Sequence, residues 1–196
     1  MSYDDFSSSK WCSTDIKYLE EEKVFEQLDR IRAERSEKFR MNLPNFYSII
    51  SGPRTGKTTV VEKYENLNKG YNQFTEIGTE VIVKPVIYVQ LPFLFTYKSF
   101  YTAIISSLGI KNLSDLTSIH KLKCIAIKLL KDYNVEMLIL DEMYKIKFSE
   151  LLKIDELSKE AQVSIVCVAT NEFEYSCKLV QQKFSLINNE DLQHKL

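Results

Sequence analysis

Residues 51–58 read SGPRTGKT, close to the phosphate-binding pattern G-x-x-x-x-G-K-[ST] but with Ser51 in place of the first glycine. Such a loop needs glycine where backbone N–H groups converge on phosphates, a lysine for the β- and γ-phosphates, and a hydroxyl for Mg²⁺. Gly56, Lys57 and Thr58 meet these needs, and Gly52 adds a flexible position. Because serine is small, we interpret Ser51 as a tolerated change. The predicted nucleotide-binding residues are Ser51, Gly52, Pro53, Arg54, Thr55, Gly56, Lys57, Thr58 and Thr59.

A second candidate lies at the end of the apolar segment VEMLILDE, residues 135–142. A strand that ends in an acid beside a phosphate loop can hold the water shell of Mg²⁺, and a following glutamate can polarise water for attack on the γ-phosphate. We therefore predict Thr58 and Asp141 as the metal-side residues and Glu142 as the catalytic base. The alternative is a pair of solvated acids at a strand end.

The apolar segment VSIVCVAT, residues 163–170, is followed by Asn171. Thr170 and Asn171 are polar groups at a strand end, where they can sense the γ-phosphate or the attacking water. We predict them as further catalytic residues. The same pair is also ordinary turn chemistry.

The elements that position these residues follow a regular alternation. Residues 69–79 are predicted as a polar connection, and Pro85 marks an edge or the start of a strand. Alternating strands and helices indicate a three-layer α/β fold with a mostly parallel, five-stranded sheet covered on both faces. The predicted strands are 45–51, 81–90, 135–142, 163–170 and 184–187, and the predicted helices are 57–68, 97–108, 115–132, 148–161 and 172–183.

The N-terminal segment differs in character from the rest. Residues 1–12 are rich in Ser and Asp, and a charged helix with a thin apolar stripe is predicted from about Asp15 to Arg40. We divide the chain into an N-terminal helical arm, 1–43, and a nucleotide-binding core, 44–196. The helix either packs along the edge of the domain or acts as an interaction arm.

Composition restricts the function classes. The net charge is −1, so any nucleic-acid contact must come from a local patch rather than from the field of the whole molecule.

The four cysteines show no C-x-x-C spacing, and two lie in apolar segments, which favours reduced, buried thiols. No apolar segment reaches the ~18 residues of a membrane span, and the polar N-terminus is not a secretory signal. We expect a cytoplasmic protein.

With these motifs in this order, the chain resembles the AAA+ ATPases, and more narrowly the TniB/TnsC group of transposition ATPases. The resemblance covers roughly residues 45–192 and rests on SGPRTGKT, KPVIYVQ, VEMLILDE and VSIVCVATNEF. It implies binding of ATP and Mg²⁺, assembly as a homo-oligomeric ring or filament around duplex DNA, and a link between a target-selecting protein and a transposase. It also implies DNA contacts after the second strand, where Lys98 and Lys111 are candidates.

The chain also departs from that group. Such ATPases continue into a helical lid with a sensor arginine, whereas this sequence ends soon after FSLI and contains no arginine after Arg54. Lys178 or Lys183 replaces an arginine finger poorly, because lysine lacks the planar fork. Since such fingers contribute roughly 10³–10⁵ in rate, we expect slow ATP hydrolysis. The alternatives are a nucleotide-dependent protein-interaction module that regulates another ATPase, and, less favoured, a small-molecule kinase.

Overall fold

The computed structural model describes residues 13–15, 21–41, 45–74, 76–110, 118–143 and 146–170. Within these residues the helices are α1 (Glu21–Arg40), α2 (Lys57–Leu67), α3 (Tyr97–Ser107), α4 (Ile119–Asp132) and α5 (Phe148–Ala161). The strands are β1 (Ser13–Asp15), β2 (Phe46–Ile50), β3 (Tyr71–Phe74), β4 (Glu80–Val83), β5 (Val86–Gln90), β6 (Met137–Asp141) and β7 (Ser164–Ala169).

The main sheet confirms the predicted parallel α/β arrangement. Four of its strands are parallel and lie in the order β2-β7-β6-β5, and the short strand β1 extends along the outer side of β2, also in parallel. In this order β6 lies between β5 and β7, and Gln90 of β5 pairs with Asp141 of β6. Strand β1 was not predicted. The predicted helix at 172–183 and strand at 184–187 lie outside the described residues.

The sheet is covered on both faces, because alternate side chains along each strand are buried on opposite sides. On one face, strand residues such as Tyr47, Ile139 and Val168 pack with α1 and α2. On the other face, residues such as Ile87, Leu138 and Ile165 pack with α3, α4 and α5. These two apolar layers hold the carboxyl ends of the parallel strands in fixed relative positions.

Helix α1 begins at Glu21, later than the predicted start near Asp15, which belongs to β1. Its apolar stripe, Val24, Leu28 and Ile31, is buried against the sheet. At its C-terminal half, Arg32 and Arg35 reach across to residues that precede β6 and β7. Within the described residues, α1 is therefore a covering helix of the core.

The segment between α2 and β5 corrects the sequence prediction. It forms an antiparallel hairpin, β3 with β4, where a polar connection was predicted. The predicted strand 81–90 is in fact two strands, β4 and β5, that separate at Lys84-Pro85. The Pro85 carbonyl accepts hydrogen bonds from the N–H groups of Glu136 and Met137, and this starts the pairing of β5 with β6. A Cβ at Gly70 would lie 2.8 Å from the Val83 carbonyl oxygen. The close approach of the two backbones at this end of the hairpin therefore requires glycine at position 70.

Within the described residues, no helix is long and apolar enough to cross a membrane. Neither of the described cysteines forms a disulfide; Cys167 is buried as predicted, whereas Cys124 is exposed because it lies on the outer face of α4.

Candidate nucleotide-binding site

The loop of residues 51–56 joins β2 to α2, in the strand-loop-helix context that the motif requires. Gly56 has φ +85° and stands at the N-cap of α2, a backbone conformation that glycine adopts without strain. No side chain among the described residues caps the start of α2. Its first N–H groups and the positive end of the helix dipole are therefore available to an anion.

Ser51 is accommodated by a hydrogen bond within the loop. Its side chain is buried, and its Oγ lies 2.5 Å from Thr55 Oγ1, which in turn donates to the Gly52 carbonyl at 3.0 Å. The backbone of Ser51 does not have a positive φ, so the position does not require glycine. The serine thus forms a hydrogen bond across the loop, with Thr55 close to its other end.

The Lys57 ammonium group lies along this loop. Nζ donates to the carbonyl oxygens of Ser51, at 2.9 Å, and Gly52, at 2.6 Å. Partial burial lowers the pKa of Lys57, while the nearby charges of Asp141 and Glu142 oppose that shift. The lysine is therefore a charged group held by neutral carbonyls, and a phosphate is a stronger acceptor for it than either carbonyl.

Asp141, at the end of β6, receives hydrogen bonds from three directions. Its Oδ2 accepts from Thr58 Oγ1 at 2.7 Å and from the Tyr88 hydroxyl at 3.0 Å, and its Oδ1 accepts from the Glu142 N–H at 2.7 Å. The side chain is buried, with 4% exposure. Because the buried carboxylate is not hydrated by bulk water, these three donors stabilise its charge and fix its position.

Glu142 follows Asp141 in the chain but lies in a different environment. It is exposed, and its backbone has φ 64°, a left-handed conformation that is uncommon for a non-glycine residue. Strained conformations of this kind cluster at functional sites. Asp141 and Glu142 therefore have different environments, one buried and hydrogen-bonded and the other open to water.

A cavity of about 360 Å³ brings these groups together. It is lined by the loop and the start of α2, by both acids, and by the end of β7 including Thr170. Its lining residues are Pro53, Arg54, Thr55, Gly56, Lys57, Thr58, Thr59, Asp141, Glu142, Val168, Ala169 and Thr170. Ser51 and Gly52 do not line the cavity but accept hydrogen bonds from Lys57 through their carbonyl oxygens. Asn171 lies outside the described residues.

Of the two residues predicted for DNA contact, the described one, Lys98, does not line this cavity. Lys98 is exposed in the first turn of α3, whose N-terminus is capped by Thr96 and Ser99. Lys111 lies outside the described residues. Sequence reasoning missed Tyr88, which lies in the segment KPVIYVQ and whose hydroxyl donates to Asp141.

The site residues fit a nucleotide with Mg²⁺. Thr58 and Asp141 offer hydroxyl and carboxylate oxygens, the ligand type that Mg²⁺ prefers. Among the described residues, no group of three His, Cys, Asp or Glu side chains forms a self-sufficient metal site. This agrees with the usual binding of Mg²⁺ by one or two protein groups together with substrate phosphates and water.

Comparisons with known proteins add one finding. A family model described as "Bacterial TniB protein" matches residues 8–193, which is most of the chain. Comparison with curated proteins gave no match.

Proposed function

The chain belongs to the bacterial TniB family of transposition ATPases, and we propose that it binds ATP with Mg²⁺ and assembles on duplex DNA in an ATP-dependent way. The DNA-bound assembly then links a target-selecting protein to a transposase. The observation that carries the proposal is the hydrogen bond between Thr58 and Asp141, beside Lys57 and Glu142 in one cavity. Family membership supports the transposition context and nucleotide binding.

Each group in the cavity has a role in this proposal. Lys57 and the N-terminal N–H groups of α2 hold the β- and γ-phosphates. Thr58 and Asp141 hold Mg²⁺, which supplies positive charge to the phosphate oxygens when bound. Glu142 accepts the proton of the attacking water from its exposed position. Thr170 at the end of β7, with Asn171 beyond it, senses the γ-phosphate.

Hydrolysis by this chain alone is proposed to be slow. The sequence has no arginine after Arg54. Arg32 and Arg35 are used within the fold, where they bond to Glu136, Asn68 and backbone carbonyls of the same chain. They are not available as fingers toward a neighbouring subunit. The loss of an arginine finger removes roughly 10³–10⁵ in rate in related phosphoryl transfers.

Duplex DNA is proposed to bind through local basic residues, since the net charge of −1 gives no general attraction. Lys98 supports this, because it is exposed at the N-terminal turn of α3 and follows β5, the strand after which the family's DNA contacts are expected. Lys111 is the second candidate.

The experiment is sedimentation of the protein with duplex DNA, with ATP, with ADP and without nucleotide. We expect wild-type protein to sediment with DNA only with ATP. Lys57→Ala should lose this assembly, whereas Glu142→Gln should keep it or prolong its lifetime, because ATP binds but is not hydrolysed. Equal assembly by all three proteins, or assembly independent of nucleotide, would remove ATP gating from the account.

A second candidate function is a nucleotide-dependent protein-interaction module that regulates another ATPase. It is favoured by the β3–β4 hairpin, which exposes Tyr71, Phe74, Ile77 and Ile82. Between residues 70 and 83 the sequence has two glutamates and no Lys or Arg. An apolar, acidic surface suits a protein partner and repels DNA phosphates.

The two functions differ in what ATP promotes. Association with a partner ATPase that depends on ATP, without binding to duplex DNA, would favour the second. In that case Phe74→Ser should abolish the association, and Ile119→Ser, which changes an exposed apolar residue on α4, should not. ATP-dependent DNA binding that both variants retain would favour the first.

A further inference from the structure

Tyr88 lies in β5, the strand that neighbours β6 on its outer side. It pairs in register with Ile139, and Asp141 is two residues further along the same strand, so both acid and tyrosine face the side covered by α2. A diagonal cross-strand neighbour is within reach of an aromatic side chain. The Tyr88 hydroxyl accordingly lies 3.0 Å from Asp141 Oδ2.

The direction of this hydrogen bond is fixed by chemistry. An ionised carboxylate only accepts, so the phenol must donate. A tyrosine phenol has an ordinary pKa of about 10, so it keeps its proton and remains a donor to Asp141 throughout the neutral range.

The same carboxylate oxygen, Oδ2, also accepts a hydrogen bond from the Thr58 hydroxyl. A threonine hydroxyl has one proton and two lone pairs. Donation to Asp141 uses the proton and leaves the lone pairs of Thr58 for a cation. The orientation of Asp141 thus decides where the lone pairs of Thr58 are directed.

Tyr88 is also held by its backbone. Its N–H donates to Glu65 Oε1 at 3.1 Å, and Glu65 belongs to α2, the helix that begins with Lys57 and Thr58. The tyrosine is therefore fixed to the metal-side acid through its side chain and to the phosphate-binding helix through its main chain.

We propose that Tyr88 is a positioning residue that holds Asp141 in the orientation required for Mg²⁺ binding with Thr58. The proposal rests on the proposed binding of ATP with Mg²⁺ and assigns a role to a residue outside the phosphate loop and the acidic pair. Tyr88 acts through Asp141 and does not itself contact the nucleotide cavity, whose lining does not include it.

The test is a titration of Mg²⁺ against a fluorescent ATP analogue at fixed concentration, with nucleotide binding as the readout. Tyr88→Phe should raise the half-saturating Mg²⁺ concentration about tenfold, the change expected from about 1.4 kcal/mol for a lost hydrogen bond to a charged group. Binding measured without Mg²⁺ should stay unchanged. The matched control is Tyr47→Phe, on the same face of the sheet, whose hydroxyl bonds to Lys38 and Asn45 away from the site.

A double-mutant cycle separates positioning from a general loss of stability. In the Asp141→Asn background, Tyr88→Phe should produce no further shift in the Mg²⁺ titration. An unchanged titration for Tyr88→Phe in the otherwise wild-type protein, an equal shift for Tyr47→Phe, or a full shift in the Asp141→Asn background would overturn the proposal. If wild-type protein bound no nucleotide with Mg²⁺, the proposed function itself would fail, which is a separate outcome.

Discussion

Thr58 Oγ1 donates a hydrogen bond of 2.7 Å to Asp141 Oδ2, although 83 residues separate the two in the chain. The bond joins the first turn of α2 to the end of β6 and places the loop lysine and the acidic pair around one cavity. Because both partners belong to regular elements, this part of the site is assembled before any ligand binds. Preorganised groups lower the cost of binding.

Glu142→Gln should abolish ATP hydrolysis and preserve ATP binding. The glutamine keeps the size of the side chain but cannot accept a proton, and loss of a general base costs about 10²–10⁴ in rate. Single-turnover hydrolysis and nucleotide affinity should be measured on the same protein. The control is Glu26→Gln, since Glu26 is exposed on α1. Hydrolysis that continues at the wild-type rate in Glu142→Gln would show that Glu142 is not the base.

Ser51→Gly restores the usual motif, and we expect it to lower stability without improving binding. It removes the hydrogen bond to Thr55 and increases the freedom of the unfolded chain, together about 1–2 kcal/mol. Nucleotide affinity should stay within about threefold of wild type, a change below 1 kcal/mol. Ser51→Ala separates the lost hydrogen bond from the glycine effect. A tenfold change in affinity would contradict the supporting role of Ser51.

Arg32→Met should destabilise the fold by about 2 kcal/mol, because Arg32 is mostly buried and its removal leaves Glu136 and Asn68 without their partner. The matched control is Arg30→Met on the same helix, since Arg30 is exposed and pairs with Glu34 within α1. That change should stay within about 0.5 kcal/mol. Urea unfolding measures the free energy of unfolding of both variants. Equal losses of this free energy would show that Arg32 does not anchor α1.

Glu156 should contribute stability that depends on pH. Hydrogen bonds from Lys123 and then Lys153 lower the pKa of Glu156 from 4.5 to about 2. A carboxyl with a lowered pKa stabilises the fold above the pKa of the unfolded chain, and this contribution is lost as the pH falls toward the lower value.

We therefore expect Glu156→Gln to lower the free energy of unfolding at pH 7, by about 0.5–1 kcal/mol because the side chain is partly exposed and screened. The difference from wild type should shrink between pH 4.5 and pH 2. Denaturant unfolding at a series of pH values measures it. Glu37→Gln on α1 serves as an exposed control. A difference that does not change with pH would contradict the ion-pair explanation.

The sequence predicted the phosphate loop, the acidic strand end and the alternation of strands and helices, since each is encoded by local periodicity and by residue types at fixed spacing. Lys57, Thr58, Asp141, Glu142 and Thr170 line one cavity, and their roles toward a nucleotide stay predictions. Parallel strands bring their carboxyl ends to one edge of the sheet, so the motif order was sufficient for this part.

The β3–β4 hairpin could not be predicted in the same way. Its strands contain Asn72, Gln73 and Glu80, which are residue types typical of loops. Its pairing depends on Gly70 and on the break at Pro85. Tyr88 was missed for another reason. Its contact with Asp141 comes from the diagonal geometry of two neighbouring strands, which no spacing within one segment encodes.

The most direct test of the account is equilibrium binding of a fluorescent ATP analogue, with Mg²⁺, to wild-type protein and to Lys57→Ala. We expect saturable binding by wild type and a loss of at least about tenfold in affinity in Lys57→Ala, equal to about 1.4 kcal/mol. Lys63→Ala, which changes an exposed lysine on the same helix, should bind as wild type does. Equal affinities for wild type and Lys57→Ala would contradict the claim that this loop is a working nucleotide site.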